Sequence, residues 1–230
     1  MKAKLCGMRR EEDIETVNCL KPDYIGYVFA KKSPRFVRPF AAARLSAKLD
    51  PGIIPVGVFV NEDPDAVLQL IQNKTIRAVQ LHGTEDEMYL RVLRCRMEKA
   101  MPGQNIPLIK AFGIREAKDI QAANCSSADY VLLDGVQGGS GRQFDHSLLS
   151  GIRRPYFLAG GLDPDNAAGI LEDLIGRSSG ALGRAGIDFL HAVDVSSGIE
   201  ADGMKGIKDA KKMRRFMEAV KSIQIKGVQE

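Results

Sequence analysis

The sequence predicts an α/β fold with one domain spanning residues 1–230, a (β/α)8 barrel. Three observations support this prediction. Eight short apolar runs rich in Val, Ile and Phe recur along the chain, and longer amphipathic segments separate them. Continuous apolar runs are typical of parallel strands that are buried on both faces. Eight units in 230 residues leave roughly 29 residues for each unit, which suffices for a strand, a helix and two turns.

The eight predicted strands are spaced as a barrel requires. They cover residues 3–6, 24–29, 55–60, 78–81, 108–112, 130–133, 156–159 and 189–193. A doubly wound open sheet is the other fold with alternating strands and helices, but it usually carries a G-x-G-x-x-G turn after an early strand. The sequence after the first run is CGMRRE, which lacks that pattern.

Asp-Pro pairs open two of the predicted helices. They stand at residues 63–64 and 163–164, and the amphipathic segments that follow cover 63–73 and 163–176. Glycine favours the left-handed conformation that ends many helices, so we expect Gly176 to end the second segment.

Two further helices and two irregular segments complete the chain. Residues 84–97 and 208–223 combine charged and apolar side chains as surface helices do. Residues 97–107 form a polar connector that contains Pro and Gly, and residues 176–187 form a Gly- and Ser-rich insertion that we expect to be flexible.

The composition excludes several classes of protein. Apolar residues make up 44% and charged residues 27% of the chain, which is typical of a globular domain. No apolar run approaches the ~20 residues of a membrane helix, and the first residues turn charged too soon for a secretory signal. We therefore expect a cytoplasmic protein. The net charge of +4 is spread out, so it predicts no nucleic-acid partner, although it suits a small anionic substrate.

The cysteines give no sign of a metal site. Cys6, Cys19, Cys95 and Cys125 form no C-x-x-C pair, and the three histidines lie far from them in sequence. In a cytoplasmic protein each is expected to be a free thiol. The sequence therefore gives poor support to a zinc site.

Two turns at the ends of the seventh and eighth strands could bind phosphate. The first contains Gly160 and Gly161, and the second runs from Asp194 through Ser196 and Ser197 to Gly198. Backbone N–H groups at such turns bind phosphate, and barrels often place a phosphate site after these two strands. The alternative is that both are ordinary strand–helix turns.

Two further strand ends carry candidate acid–base groups. Asp134 ends an apolar run, and a partly desolvated carboxyl group is a candidate general acid; the alternative is a capping aspartate. The adjacent GGSG, residues 138–141, is either a lid over a substrate or a plain linker. Cys6 ends the first strand. A thiol near a phosphate site and Arg or Lys can have a lowered pKa, and as a thiolate it can abstract a proton; an isolated cysteine is more typical of a buried structural residue.

Arg35 and His82 follow the second and fourth strands. Arg35 comes directly after a proline and could hold a substrate carboxylate with its planar fork, or it could be a surface charge. His82 is either a ligand contact or a histidine satisfied within the protein. We expect His146 and His191 to be structural.

Seven sequence motifs, which follow one another along the chain, contain these strand ends. They are KLCGMRREEDI, PDYIGYVFAKKSPRFV, VGVFVN, VQLHG, LLDGVQGGSGRQFD, FLAGGLDPDN and VDVSSGIE. Together, from residue 4 to about residue 219, they closely resemble the phosphoribosylanthranilate isomerase family. The resemblance implies a (β/α)8 barrel of tryptophan biosynthesis, monomeric or dimeric, that rearranges N-(5′-phosphoribosyl)anthranilate to 1-(2-carboxyphenylamino)-1-deoxyribulose 5-phosphate without a cofactor.

The resemblance also implies a role for each candidate. Cys6 would be the general base and Asp134 the general acid, while Arg35 would hold the anthranilate carboxylate. Gln80 and His82 would line the pocket. The remaining candidates would hold the phosphate, namely Gly160, Gly161, Asp194, Ser196, Ser197 and Gly198.

The chain departs from the family pattern at three places. Gly135 stands where threonine is frequent, His146 stands where an aromatic residue is usual, and the insertion at 176–187 could alter one rim of the pocket or an oligomer contact. None of these removes a proposed catalytic group.

Three other functions compete with this interpretation. An epimerase would need metal-binding histidines and acids, which the strand ends lack. An indole-glycerol-phosphate synthase would need a catalytic lysine, for which Lys110 in the fifth strand is the candidate. A non-catalytic barrel could keep the phosphate turns but would have no reason to keep Cys6 and Asp134 together.

Overall fold

Eight parallel strands close into a barrel in the computed structural model, which describes residues 1–135, 145–177 and 187–223. Each strand pairs with its neighbours in chain order, and the first pairs with the last, which confirms the predicted fold. The strands are β1 Lys2–Cys6, β2 Tyr24–Val28, β3 Ile54–Phe59, β4 Ala78–Leu81, β5 Leu108–Ile114, β6 Tyr130–Gly135, β7 Tyr156–Leu158 and β8 Leu190–Val195.

Seven α-helices pack around the barrel in the described part of the chain. They are α1 Glu11–Leu20, α2 Pro39–Ser46, α3 Pro64–Gln72, α4 Glu87–Ala100, α5 Ala117–Cys125, α6 Ala167–Arg177 and α7 Ala210–Ser222. After β6 the described residues contain a short 3₁₀ turn, His146–Gly151, in place of a full helix. No helix within these ranges is long and apolar enough to cross a membrane.

Aspartates begin three of these helices. Asp63, Asp86 and Asp209 each accept a hydrogen bond from a backbone N–H of the first helical turn, which satisfies donors that the helix itself cannot. The start signal at 163–164 works differently. The Asp163 carboxylate accepts from the backbone N–H of Asn166, 2.8 Å away, so the helix proper begins four residues later than the pair suggests.

Several predicted boundaries were wrong by a few residues. Helix α4 continues to Ala100, so the connector is shorter than 97–107, and α6 runs one residue past Gly176, which therefore does not end it. Strand β8 begins and ends later than 189–193 and includes Asp194. The GGSG segment and most of the predicted insertion lie outside the described residues.

The barrel has an apolar interior at its amino-terminal end. The side chains that fill it belong to alternate residues of the strands and include Val56, Ala78, Ile109, Leu132, Phe157 and Ala192. A larger apolar core lies between the strands and the helices. The carboxyl ends of the strands, by contrast, carry the charged side chains described below.

An aromatic cluster closes the amino-terminal end. The Tyr24 hydroxyl lies 2.8 Å from His191 Nε2, and the ring centroids of Tyr130 and His191 are 4.2 Å apart. Burial lowers the pKa of His191 to about 4. His191 is therefore neutral at pH 7, and it lies at the end of the barrel opposite to the strand ends that carry the candidate chemistry.

Candidate active site

A cavity of about 240 Å³ opens at the carboxyl ends of the strands. Ten of the eleven predicted site residues line it, and they come from six of the eight strands or the turns after them. They are Cys6, Arg35, Gln80, His82, Asp134, Gly160, Gly161, Asp194, Ser196 and Ser197. This end of a barrel is where enzymes with this fold carry their active sites.

Gly198 is the predicted site residue that lies apart from the cavity lining. A β-carbon at this position would lie 2.1 Å from the backbone oxygen of Leu162. Glycine is therefore needed for the two predicted phosphate turns to pack against each other. Gly160 and Gly161 have φ angles of 88° and 70°, a conformation that glycine adopts readily.

Cys6 is buried at the end of β1, with 6% of its surface exposed. A β-carbon on Gly26 would lie 2.5 Å from its sulfur, so the bare backbone of β2 makes room for the thiol. Burial raises the pKa of Cys6, while the charges of Lys4 and Lys208 oppose that rise. The sequence left the direction of this shift open, and the pKa of the thiol is raised because desolvation of the thiolate outweighs its cationic neighbours.

Lys4 and Asp194 form a buried ion pair beside Cys6 that we did not single out from the sequence. Lys4 Nζ lies 2.9 Å from Asp194 Oδ1, and the Lys4 side chain has no exposed surface. The two residues are paired in register where β1 joins β8. A lysine inside an apolar strand run is unusual, and this was the one signal in the sequence that could have revealed the pair.

Asp134 faces His82 across the cavity. His82 Nε2 lies 3.6 Å from Asp134 Oδ2, and Gln80 Nε2 lies 2.9 Å from His82 Nδ1. Gln80 is almost fully buried, whereas the His82 ring is partly open to the cavity. The three side chains thus form a row from the barrel wall to the carboxyl group.

Arg35 lies at the cavity with its guanidinium on an internal carboxylate. Its Nε and one terminal nitrogen lie 2.6 and 3.2 Å from the two oxygens of Glu200, a bidentate pair. Glu200 also lies 3.1 Å from Lys208 Nζ. Burial would raise the pKa of Glu200, but the hydrogen bond from Arg35 and the charge of Lys208 lower it.

Lys110 does not belong to the cavity lining. Its ammonium group lies 2.8 Å from the backbone oxygen of Gly83 and 3.1 Å from Glu85, so it stabilises the turn after β4. Its position therefore gives no support to an indole-glycerol-phosphate synthase. Within the described residues, no three His, Cys, Asp or Glu side chains lie together as a metal site would require.

Comparison with known proteins shows which family the sequence matches. A sequence model described as N-(5′-phosphoribosyl)anthranilate (PRA) isomerase matches residues 3–219. The N-(5′-phosphoribosyl)anthranilate isomerase of Endomicrobium trichonymphae is 39% identical over 226 residues, which cover 96% of this chain and 99% of the relative.

Solved structures of the same enzyme share the fold. Phosphoribosyl anthranilate isomerase from Thermus thermophilus matches with a TM-score of 0.77 at 31% identity, covering 97% of this chain and 100% of that chain. A phosphoribosyl anthranilate isomerase in complex with reduced 1-(o-carboxyphenylamino)-1-deoxyribulose 5-phosphate matches with a TM-score of 0.74 at 31% identity and the same coverage. The Thermotoga maritima structure, described as monomers made from a dimeric enzyme, matches at 0.73 and 30%, again over 97% and 100%.

Proposed function

The chain belongs to the N-(5′-phosphoribosyl)anthranilate isomerase family of tryptophan biosynthesis, and we propose that Cys6 is its general base and Asp134 its general acid. One observation carries this assignment. Cys6 and Asp134, from strands β1 and β6, line the same cavity as the two candidate phosphate turns. An acid and a base held on different strands can act on different atoms of one bound substrate.

The proposed reaction moves protons within the sugar. Asp134 gives its proton to the furanose ring oxygen, the bond from that oxygen to C1 breaks, and a Schiff base to the anthranilate nitrogen forms. The Cys6 thiolate then removes the proton from C2. The electron pair of that C–H bond becomes the C1–C2 double bond of an enolamine, and the π electrons of the C1–N bond return to the nitrogen. Ketonisation moves the hydroxyl proton from O2 to solvent while C1 gains one. Cys6 loses its proton and Asp134 regains one before the next turnover.

The two turns are proposed to hold the phosphate. Backbone N–H groups of Gly160, Gly161 and Ser197 would face the anion, because glycines without side chains let it approach the backbone. Asp194 and Gly198 bound the second turn. The carboxylate of Asp194 would repel a phosphate on its own, but the ammonium of Lys4 offsets that charge.

Arg35 is proposed to hold the anthranilate carboxylate. A guanidinium carries five N–H donors, and the pair with Glu200 engages only two of its nitrogens. We propose that the remaining donors face the cavity, which Arg35 lines. Gln80 and His82 line the same cavity, and we propose that they contact the substrate.

Turnover of freshly prepared phosphoribosylanthranilate tests the proposal, followed as the loss of anthranilate fluorescence. We expect Cys6→Ala and Asp134→Asn each to lower kcat by several orders of magnitude with unchanged circular dichroism, whereas Cys125→Ala, at an exposed cysteine, keeps normal rates. A variant of Cys6 or Asp134 with a normal kcat would remove that residue from the mechanism. Arg35→Ala should chiefly raise KM, and an unchanged KM would argue against the carboxylate contact.

The oligomeric state and the cellular compartment of the protein remain predictions. We expect a monomer or a homodimer that acts in the cytoplasm. Sedimentation of the purified protein would establish the assembly.

A further inference from the structure

Lys4 is a fully buried cation that the proposed proton transfers do not use. Its ammonium lies 2.9 Å from Asp194. Lys4 and Cys6 stand two residues apart in β1, so their side chains lie on the same face of the strand. The lysine is thus placed directly beside the group proposed to take the proton.

Fold stability alone does not require a charged pair at this position. The layer of the barrel interior nearer the amino-terminal end is filled by apolar and aromatic side chains. Replacing a buried ion pair by apolar residues of similar volume is often neutral or stabilising, because desolvation of the charges is costly. A pair kept beside the candidate base therefore suggests a role in the chemistry.

We propose that Lys4, anchored by Asp194, is a positioning residue that donates a hydrogen bond to the Cys6 sulfur and so stabilises the thiolate when it forms. The proposal rests on the role of Cys6 as the general base. Lys4 stays protonated throughout and gives up no proton, since its positive charge is what stabilises the thiolate. Asp194 fixes the direction of the ammonium and keeps it charged.

The charges around Cys6 agree with this role. Burial tends to lower the pKa of Lys4, but the charges of Asp194 and then Cys6 raise it above its ordinary value. For the Cys6 pKa, burial raises it, Lys4 is the largest opposing influence, Asp194 raises it further, and Lys208 lowers it. Lys208 approaches from the segment before α7 and is itself held by Glu200 and by the backbone of Ser196.

The pH dependence of alkylation measures the thiolate without any turnover. In a protein whose exposed Cys19, Cys95 and Cys125 are changed to Ser, iodoacetamide reacts with Cys6 alone, and mass spectrometry follows the rate between pH 6 and 10. We expect Lys4→Met to move the midpoint upward by at least one pH unit, which slows alkylation about tenfold at neutral pH. Lys4→Arg keeps the positive charge, so its midpoint should lie closer to that of the parent protein than the midpoint of Lys4→Met does.

Lys4→Met leaves Asp194 buried without a partner and can unfold the protein. The double variant Lys4→Met with Asp194→Asn removes both charges and avoids that cost. We still expect a higher midpoint, because Lys4 acts on the thiol more strongly than Asp194 does. The matched control is Lys110→Met with Glu85→Gln, which removes another buried lysine–carboxylate pair and should leave the midpoint unmoved.

The outcomes separate the two proposals. A midpoint that stays in place in the double variant overturns the role of Lys4, whatever Cys6→Ala does to turnover. Normal turnover by Cys6→Ala removes the base and with it the purpose of Lys4, even if the midpoint moves. An inactive Cys6→Ala together with a raised midpoint, and a kcat/KM of Lys4→Met that recovers at high pH, supports both.

Discussion

The imidazole of His82 faces the carboxyl group of Asp134, with Nε2 3.6 Å from Oδ2, while Gln80 lies 2.9 Å from the other ring nitrogen. Gln80 thus reaches the proposed acid only through His82. We predict that Gln80→Leu lowers kcat about tenfold by releasing the ring, and that it has little further effect once His82 is Ala. Steady-state kinetics of the two single variants and the double variant measure this coupling. If the fold losses in kcat of the two single variants multiply in full in the double variant, the two side chains act separately.

Gly26 leaves the space in which the Cys6 sulfur lies. Because a β-carbon there would come within 2.5 Å of the sulfur, we predict that Gly26→Ala displaces the thiol and lowers kcat about 10- to 100-fold. Thermal unfolding should show that the barrel persists. The matched control is Gly169→Ala in α6, where the new methyl group meets no atom within 4 Å and the rate should be unchanged. An equally active Gly26→Ala enzyme would contradict the requirement for space.

Glu200 neutralises two cations at once, Arg35 and Lys208. We predict that Glu200→Gln lowers the free energy of unfolding by about 2 kcal/mol, because it leaves two largely buried positive charges without their carboxylate. For a chain of this size that corresponds to a fall in Tm of about 4–8 °C.

Asp202→Asn provides the control for Glu200. Its pair with Lys212 is exposed to solvent, so Tm should stay the same. Equal shifts in the two variants, read by scanning calorimetry, would show that burial of the Glu200 network adds no stability.

Protonation of His191 should make the folded protein less stable at acid pH. The pKa of His191 is about 4 in the folded protein and near 6.5 in the unfolded chain. At a pH between these two pKa values, His191 is protonated in the unfolded chain and neutral in the folded protein. Stability therefore falls as the pH drops from 6.5 towards 4. Because the ring is only half-buried, we expect its contribution to be about 1 kcal/mol.

Urea unfolding at pH 7 and pH 5 measures this effect. His191→Gln should lose less stability than the parent protein over that interval, because glutamine does not titrate. Identical losses in both proteins would assign the acid sensitivity to other groups.

The strands were predictable because a buried parallel strand must be apolar throughout, and a run of such residues is visible in any sequence. The shared location of Cys6 and Asp134 followed from the barrel, which gathers the carboxyl ends of all strands. The partners of the charged groups were not predictable. Lys4 and Asp194 lie 190 positions apart, and only the register between β1 and β8 brings them together. The partner of Arg35 likewise depends on where the segment after β8 returns.

The pairing of β1 with β8 also determines when the enzyme becomes active during folding. The first and last strands of the chain supply Cys6, its ammonium neighbour Lys4 and the second proposed phosphate turn. A nascent or refolding chain with seven strands in place has most of its secondary structure but an incomplete site and an unpaired lysine in its core. Recovery of turnover during refolding should therefore report the closure of the barrel. We expect it to lag behind the return of the helical circular dichroism signal.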